Sequence, residues 1–252
     1  MQCPKCRFDQ AEGGTECLRC GVVFARLAEL SALNGETLYH PPPPTPRVEE
    51  PAEVWRDLLL AEESEARPGR FWGRTALYVV LVLWGLRFLF SSVGDDYVGE
   101  SFLHWINLPF HEAGHVVFLF FGDFLHTLGG TLGQLFIPAI CLCAFLFRSR
   151  DPFGASVALW WLAENFMDIA PYIADARSGE LLLLGGVTGR EAPGYHDWEN
   201  ILSTLHLLAF DRRLGALSYA FGRLLMLASF AWGGWLLLRE WRELKEGRPR
   251  KA

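Results

Sequence analysis

The residues best equipped for chemistry are His111, Glu112 and His115, in the pentad HEAGH. On a helix, side chains four apart share a face, so the two imidazoles can ligate one divalent ion while Glu112, one position round, takes a proton from water at that ion. Gly114 leaves room for a second helix or a substrate backbone to approach. A second constellation, Cys3, Cys6, Cys17 and Cys20, forms two C-x2-C pairs separated by ten residues. Two thiolates from each tight turn can reach the corners of a tetrahedron around Zn²⁺, with Pro4 and Gly21 suited to the turns. Such a closed site is structural, because so short a segment has no other core to bury.

An open hydrolytic zinc site needs three protein ligands, and HEAGH supplies two. Asp168 and Asp175 lie in ENFMDIAPYIADAR, on a polar stripe with Asn165 and Tyr172 at i, i+3, i+7 and i+10. A stripe of this kind in an apolar helix turns toward a bundle interior or a water-filled cavity. Asp168 has the depth nearest HEAGH. His196, in GYHDWENILSTLHLLAF, has the better ligand chemistry, and its neighbour Asp197 is expected to cap the helix that starts there or to stand as a carboxylate behind a ligand. His126, His206, Cys141 and Cys143 are expected to pack rather than to react.

These residues need elements to position them, and composition says what kind. A chain of 252 residues with 51% hydrophobic content, 10 Trp and 19 Phe belongs in a bilayer. A net charge of -6 gives no reason to expect a nucleic-acid partner. The first ten residues, MQCPKCRFDQ, contain no apolar signal region, so the N-terminus is expected in the cytoplasm, with the protein integral to a plasma or inner membrane. Apolar segments at 71–91, 102–122, 131–147, 153–176 and 215–238 are each near the length that spans hydrocarbon. Arg70 and Arg74 precede the first, and the acidic GDDYVGE follows it. Five full crossings would put the basic tail REWRELKEGRPRKA on the side opposite the N-terminus, so one segment is expected to be re-entrant, interfacial or split, with Pro109 marking the place.

HEAGH on an apolar helix, followed by the glycine-rich GDFLHTLGGTLGQ, resembles the site-2-protease-like intramembrane zinc metalloproteases. The resemblance implies a bundle of membrane helices in which His111 and His115 bind zinc, Glu112 is the base and a downstream aspartate completes the site. By order in the chain that aspartate is Asp175, after Asn165 and Pro171, with Ala176 where the family carries glycine. It further implies that Asn165 orients substrate backbone and that the substrate is a helix of another membrane protein. The N-terminal segment resembles zinc ribbons and rubredoxin-type knuckles. The expected organisation is an all-α polytopic membrane protein of about five or six membrane segments. Residues 1–26 form a cytoplasmic zinc ribbon, 27–70 a proline-rich linker and surface helix, 71–240 a metallopeptidase-like membrane domain and 241–252 a basic tail. Two zinc ions are expected, one structural and one catalytic. The alternative is a non-catalytic membrane scaffold whose ribbon recruits a cytoplasmic protein partner and whose HEAGH is structural or vestigial.

Overall fold

The computed structural model describes residues 1–34, 58–60, 67–95 and 97–246. Most of the expected linker and surface helix, and the last six residues of the tail, lie outside the described residues. The chain divides into two units, Met1–Glu50 and Pro51–Ala252. Among the described residues there are helices and isolated β-bridges but no strands.

The first unit repeats one turn twice. Arg7 N–H donates to the Cys3 carbonyl and Gly21 N–H to the Cys17 carbonyl, both at 2.8 Å. Cys3 and Cys17 N–H then donate across to Phe8 and Val22. The residue after the second cysteine of each pair has a left-handed backbone, φ 62° at Arg7 and 67° at Gly21, the glycine being the residue suited to it. Helix α1, Phe24–Asn34, follows.

The second unit is built from α2 (Pro68–Phe90), α3 (Phe102–Phe118), α4 (Asp123–Cys143), α5 (Pro152–Ala174), α6 (Asp197–Thr204) and α7 (Asp211–Glu246). Among the described residues three stretches are long and apolar enough to cross a membrane: Pro68–Phe90, Asp123–Arg148 and Leu208–Glu246. The expectation of five or six spans is therefore met only in part. α3 has 17 residues, and α5, although 23 residues long, carries Glu164, Asn165 and Asp168 in its interior. The outward faces are those of a body solvated by lipid: Leu77, Val80, Leu83 and Phe90 on α2, and Leu217, Leu224 and Leu238 on α7, are exposed.

α5 is the central element, with most of its length buried. Small residues on α7 let it approach: a Cβ on Gly222 would meet the Ala163 carbonyl at 2.6 Å, and one on Gly215 the Ala170 carbonyl at 2.6 Å. Polar side chains tie the helices where no water competes. Tyr219 Oη donates to the Phe88 carbonyl, Tyr78 Oη to Phe230, Trp160 Nε1 to Leu81 and Ser229 Oγ to Ser156. At one end Glu240, near the close of α7, faces Arg70 at 3.3 Å and Arg74 at 3.5 Å, and Arg74 also meets Asp151 at the start of α5 at 2.8 Å.

α3 and α4 form the hairpin that carries HEAGH. A Cβ on Gly114 would sit 2.0 Å from the Gly129 carbonyl oxygen, and one on Gly133 would sit 2.5 Å from the Phe110 carbonyl oxygen. The room left by Gly114 is thus filled by a second helix. α4 begins at Asp123, eight residues before the expected segment at 131–147, so the glycine-rich stretch is helical and its glycines form the crossing surface.

Candidate metal centres

HEAGH lies on α3 with His111 buried, His115 half-buried and Glu112 exposed. Its third partner comes from the far side of a long excursion. After α5 the chain runs through a short hairpin, where Leu183 N–H donates to the Val187 carbonyl, and returns so that α6 starts beside α3. Asp197 Oδ2 then lies 3.1 Å from His111 Nε2 and 3.3 Å from His115 Nε2. The three residues form a group whose donor atoms could hold a metal ion. Four ligands at about 2.05 Å from a tetrahedral zinc stand about 3.3 Å from one another, close to the spacing between Asp197 and each histidine.

The ring protons point the same way. His115 Nδ1 donates to the His126 carbonyl at 2.8 Å, and His111 Nδ1 to Gln134 Oε1 at 3.3 Å. With Nδ1 engaged on each ring, both Nε2 atoms face the Asp197 carboxylate, to which they donate when protonated and beside which they become ligands when a metal ion displaces those protons. Burial would raise the Asp197 carboxyl, but the hydrogen bonds and charge of His111 and His115 outweigh it and hold it at about 2. Gly130 forms the wall, since a Cβ there would sit 2.4 Å from His111 Nε2 and 2.5 Å from His115 Nε2.

None of the three expected third ligands joins this group. Asp175 turns into the loop after α5, where it accepts from Ser178 Oγ at 2.6 Å, Glu180 N–H at 3.0 Å and Leu181 N–H at 2.9 Å. It is the loop's anchor. Asp168 faces His104 Nδ1 at 2.9 Å, Asn107 Nδ2 at 3.2 Å and Gln134 Nε2 at 2.7 Å, a position behind His111. His196, fully buried, is the N-cap of α6: its Nδ1 accepts from Glu199 N–H at 3.2 Å, and its ring lies 4.3 Å from that of Tyr172. Burial holds this imidazole below its ordinary value, against the pull of Asp175 and Asp197. The cap therefore belongs one residue earlier than expected, and that shift frees Asp197 for the histidines. Tyr172 secures Asp197, its hydroxyl accepting from Asp197 N–H at 2.9 Å and donating to Oδ2 at 3.3 Å. Asn165 is also displaced from its expected role: it is fully buried, and its Nδ2 donates to the Trp161 carbonyl within α5.

The residues missed in the sequence are Gln134, Gly130, Asn107, His104 and Glu164. Glu164 and Asp168 are one turn apart on α5 and were open to the same stripe argument. Gly130 and Gln134 lie in the glycine-rich GDFLHTLGGTLGQ, but nothing in the sequence marks them as neighbours of the HEAGH histidines.

In the first unit, Cys3, Cys6, Cys17 and Cys20 form the other group that could hold a metal ion. Cys3 and Cys20 Sγ are 3.9 Å apart, and Cys6 and Cys17 Sγ 3.5 Å. Sulfurs bound at about 2.3 Å to a tetrahedral ion stand about 3.8 Å apart. The thiols divide protons unequally. Burial raises Cys17, but the backbone N–H groups of Cys20 and Arg19 and the neighbouring thiols bring it to about 6. Cys6, in spite of the Phe8 N–H that lowers it, is pushed up to about 12 by burial and the other three thiols. A cation among them would release the shared protons.

Comparison of the chain with protein-family models, with curated proteins and with solved structures yields no match, so the reading of both centres rests on their geometry.

Proposed function

We propose that the second unit is a membrane-embedded zinc peptidase acting on apolar segments of other membrane proteins, and that the first is a structural zinc ribbon on its cytoplasmic side. The observation that carries the reading is that Asp197 Oδ2 lies within 3.3 Å of both His111 Nε2 and His115 Nε2, the three atoms forming a group within 4.8 Å, beside a glutamate that is not part of the triangle. Two imidazoles and one carboxylate are a hydrolytic donor set that leaves a fourth position open, whereas four thiolates close a site. Bound there, zinc supplies Lewis acidity toward water and toward a peptide carbonyl. Glu112, exposed on the same turn of α3, accepts the proton of the attacking water and returns it to the departing amine. Tyr172 and the His196 cap hold Asp197 in place, and the Asp175 loop fixes that end of α5.

The substrate class follows from what flanks Glu112. Trp105 and Val116, one or two turns from Glu112 on the same side of α3, are exposed, as are Leu119 and Phe120 in the 3-10 turn that follows, so the face that presents the base is apolar. A cytoplasmic N-terminus is supported by Arg67, Arg70 and Arg74 at the start of α2, with Arg148 and Arg150 next to Asp151. The test compares wild-type protein and Glu112→Gln, in cells that co-express membrane reporters carrying an epitope on each side of a single apolar helix. Glu112→Gln should retain zinc at the second unit and lose turnover by a factor of about 10² to 10⁴. Equal processing by both proteins would overturn the peptidase reading and leave a scaffold.

A further inference from the structure

Behind His111 a line of polar side chains crosses three helices. His104 and Asn107 are on α3, Gln134 on α4, and Glu164 and Asp168 on α5. Each amide in the line can face only one way. Asn107 Oδ1 accepts from Trp161 Nε1 at 2.9 Å, and indole is a donor only, so Asn107 Nδ2 is turned to Glu164 Oε2 at 2.9 Å and Asp168 Oδ2 at 3.2 Å. The Asp168 carboxylate accepts only. Gln134 therefore presents Nε2 to it at 2.7 Å, and with Nε2 so placed Gln134 Oε1 faces His111 Nδ1. An amide oxygen at that place requires Nδ1 to carry a ring proton, so Nε2, which faces Asp197 Oδ2 at 3.1 Å, is the nitrogen left for the metal.

We infer that Asp168, through Gln134, is a positioning residue that fixes the tautomer of His111 and so prepares the unprotonated Nε2 for the metal. The inference rests on the proposed metal site and says how α5, which contributes none of its three donor atoms, governs it. A reversed amide would set two oxygens 2.7 Å apart at Asp168, so the carboxylate supplies polarity as well as shape. In Asp168→Asn the amide at 168 can donate as well as accept, Gln134 can then turn over, and His111 becomes free to carry its proton on Nε2.

The test uses the full-length protein in lipid nanodiscs, labelled with ¹⁵N-histidine and titrated with Co²⁺. Thiolate charge-transfer bands report the four-cysteine site, and the weaker ligand-field bands of a nitrogen and oxygen site report the second. In wild type, without metal and with Zn²⁺ bound, the His111 ¹⁵N shifts should show a proton held on Nδ1. Asp168→Asn should show a tautomer mixture and a loss of about 10- to 100-fold in Co²⁺ affinity at the second site, with the cysteine site unchanged. The exchange Asp168→Asn with Gln134→Glu restores an acceptor opposite His111 and should recover both signals, which a merely structural defect would not do. An unchanged tautomer and affinity in Asp168→Asn overturns the inference, as does failure of the double variant to recover although it is folded. If His111→Ala also leaves Co²⁺ binding at the second site unaltered, the metal reading itself fails. If His111→Ala abolishes binding while Asp168→Asn is silent, only the positioning role fails.

Discussion

Gly130→Ala adds one methyl group to α4 and tests the proposed centre directly. The added Cβ would meet His111 Nε2 at 2.4 Å, His115 Nε2 at 2.5 Å and His111 Cδ2 at 2.7 Å, whereas ordinary van der Waals contact begins at 3.4 Å. Each imidazole must retreat by about 1 Å, five times the tolerance of about 0.2 Å on a metal–ligand bond. The methyl also stands between the two nitrogens, where the ion would be. In an ordinary helix interior the same change is favourable by about 0.5 to 1 kcal/mol, so the helix gains while the site is lost. The expected result is a protein with wild-type helical content and thermal midpoint but at least a 100-fold loss of Zn²⁺ affinity at the second unit. Competition with a chelating indicator, after the cysteine site has been filled, measures it. Wild-type affinity in a folded Gly130→Ala protein would refute the convergence of His111, His115 and Asp197 on one ion.

Two further outcomes are expected. Chelation of the full-length protein should make residues 1–34 sensitive to protease while circular dichroism of the helical unit stays unchanged, and Cys3→Ser or Cys20→Ser should do the same without chelator. Asp197→Ala should lose the second metal, whereas Asp175→Ala should keep it and open the 175–181 loop to hydrogen exchange. Acidification gives a third. Because the Asp197 carboxyl is held at about 2, below its ordinary value near 3.9, its charge and the stability that charge brings are complete above about pH 4 and fade only as pH falls through 2. Metal release on acidification should therefore show no step from the Asp197 carboxylate between about pH 4 and pH 3. Zinc content of dialysed protein against pH measures it.

Local pattern made the two centres partly legible, and tertiary folding decided the rest. Spacing alone brings His111 and His115 onto one face, and the doubled C-x2-C needs nothing beyond its own turns. The third partner depends on how 22 residues between α5 and α6 fold back, and no periodicity describes that path. Asp197 was read as a cap because it stands at a helix start, but His196 can supply that acceptor with Nδ1, and a shift of one residue changed the role of both. The polar stripe on α5 pointed to the right helix face through Asp168 and Tyr172 while misassigning Asp175, which leaves the helix at its C-cap. The glycines of GDFLHTLGGTLGQ look like loop residues, yet at 129, 130 and 133 they serve backbone contact and the open wall of the site.

The contact of Arg70 with Glu240 carries a consequence about closure. The first residues of α2 and the last turns of α7 meet at a single end of the unit. α5 starts at that end too, through Asp151 and Arg74. One cluster of two guanidinium groups and two carboxylates therefore clasps three helices that are far apart in the chain, and a change that removes Glu240 should loosen the starts of α2 and α5 together.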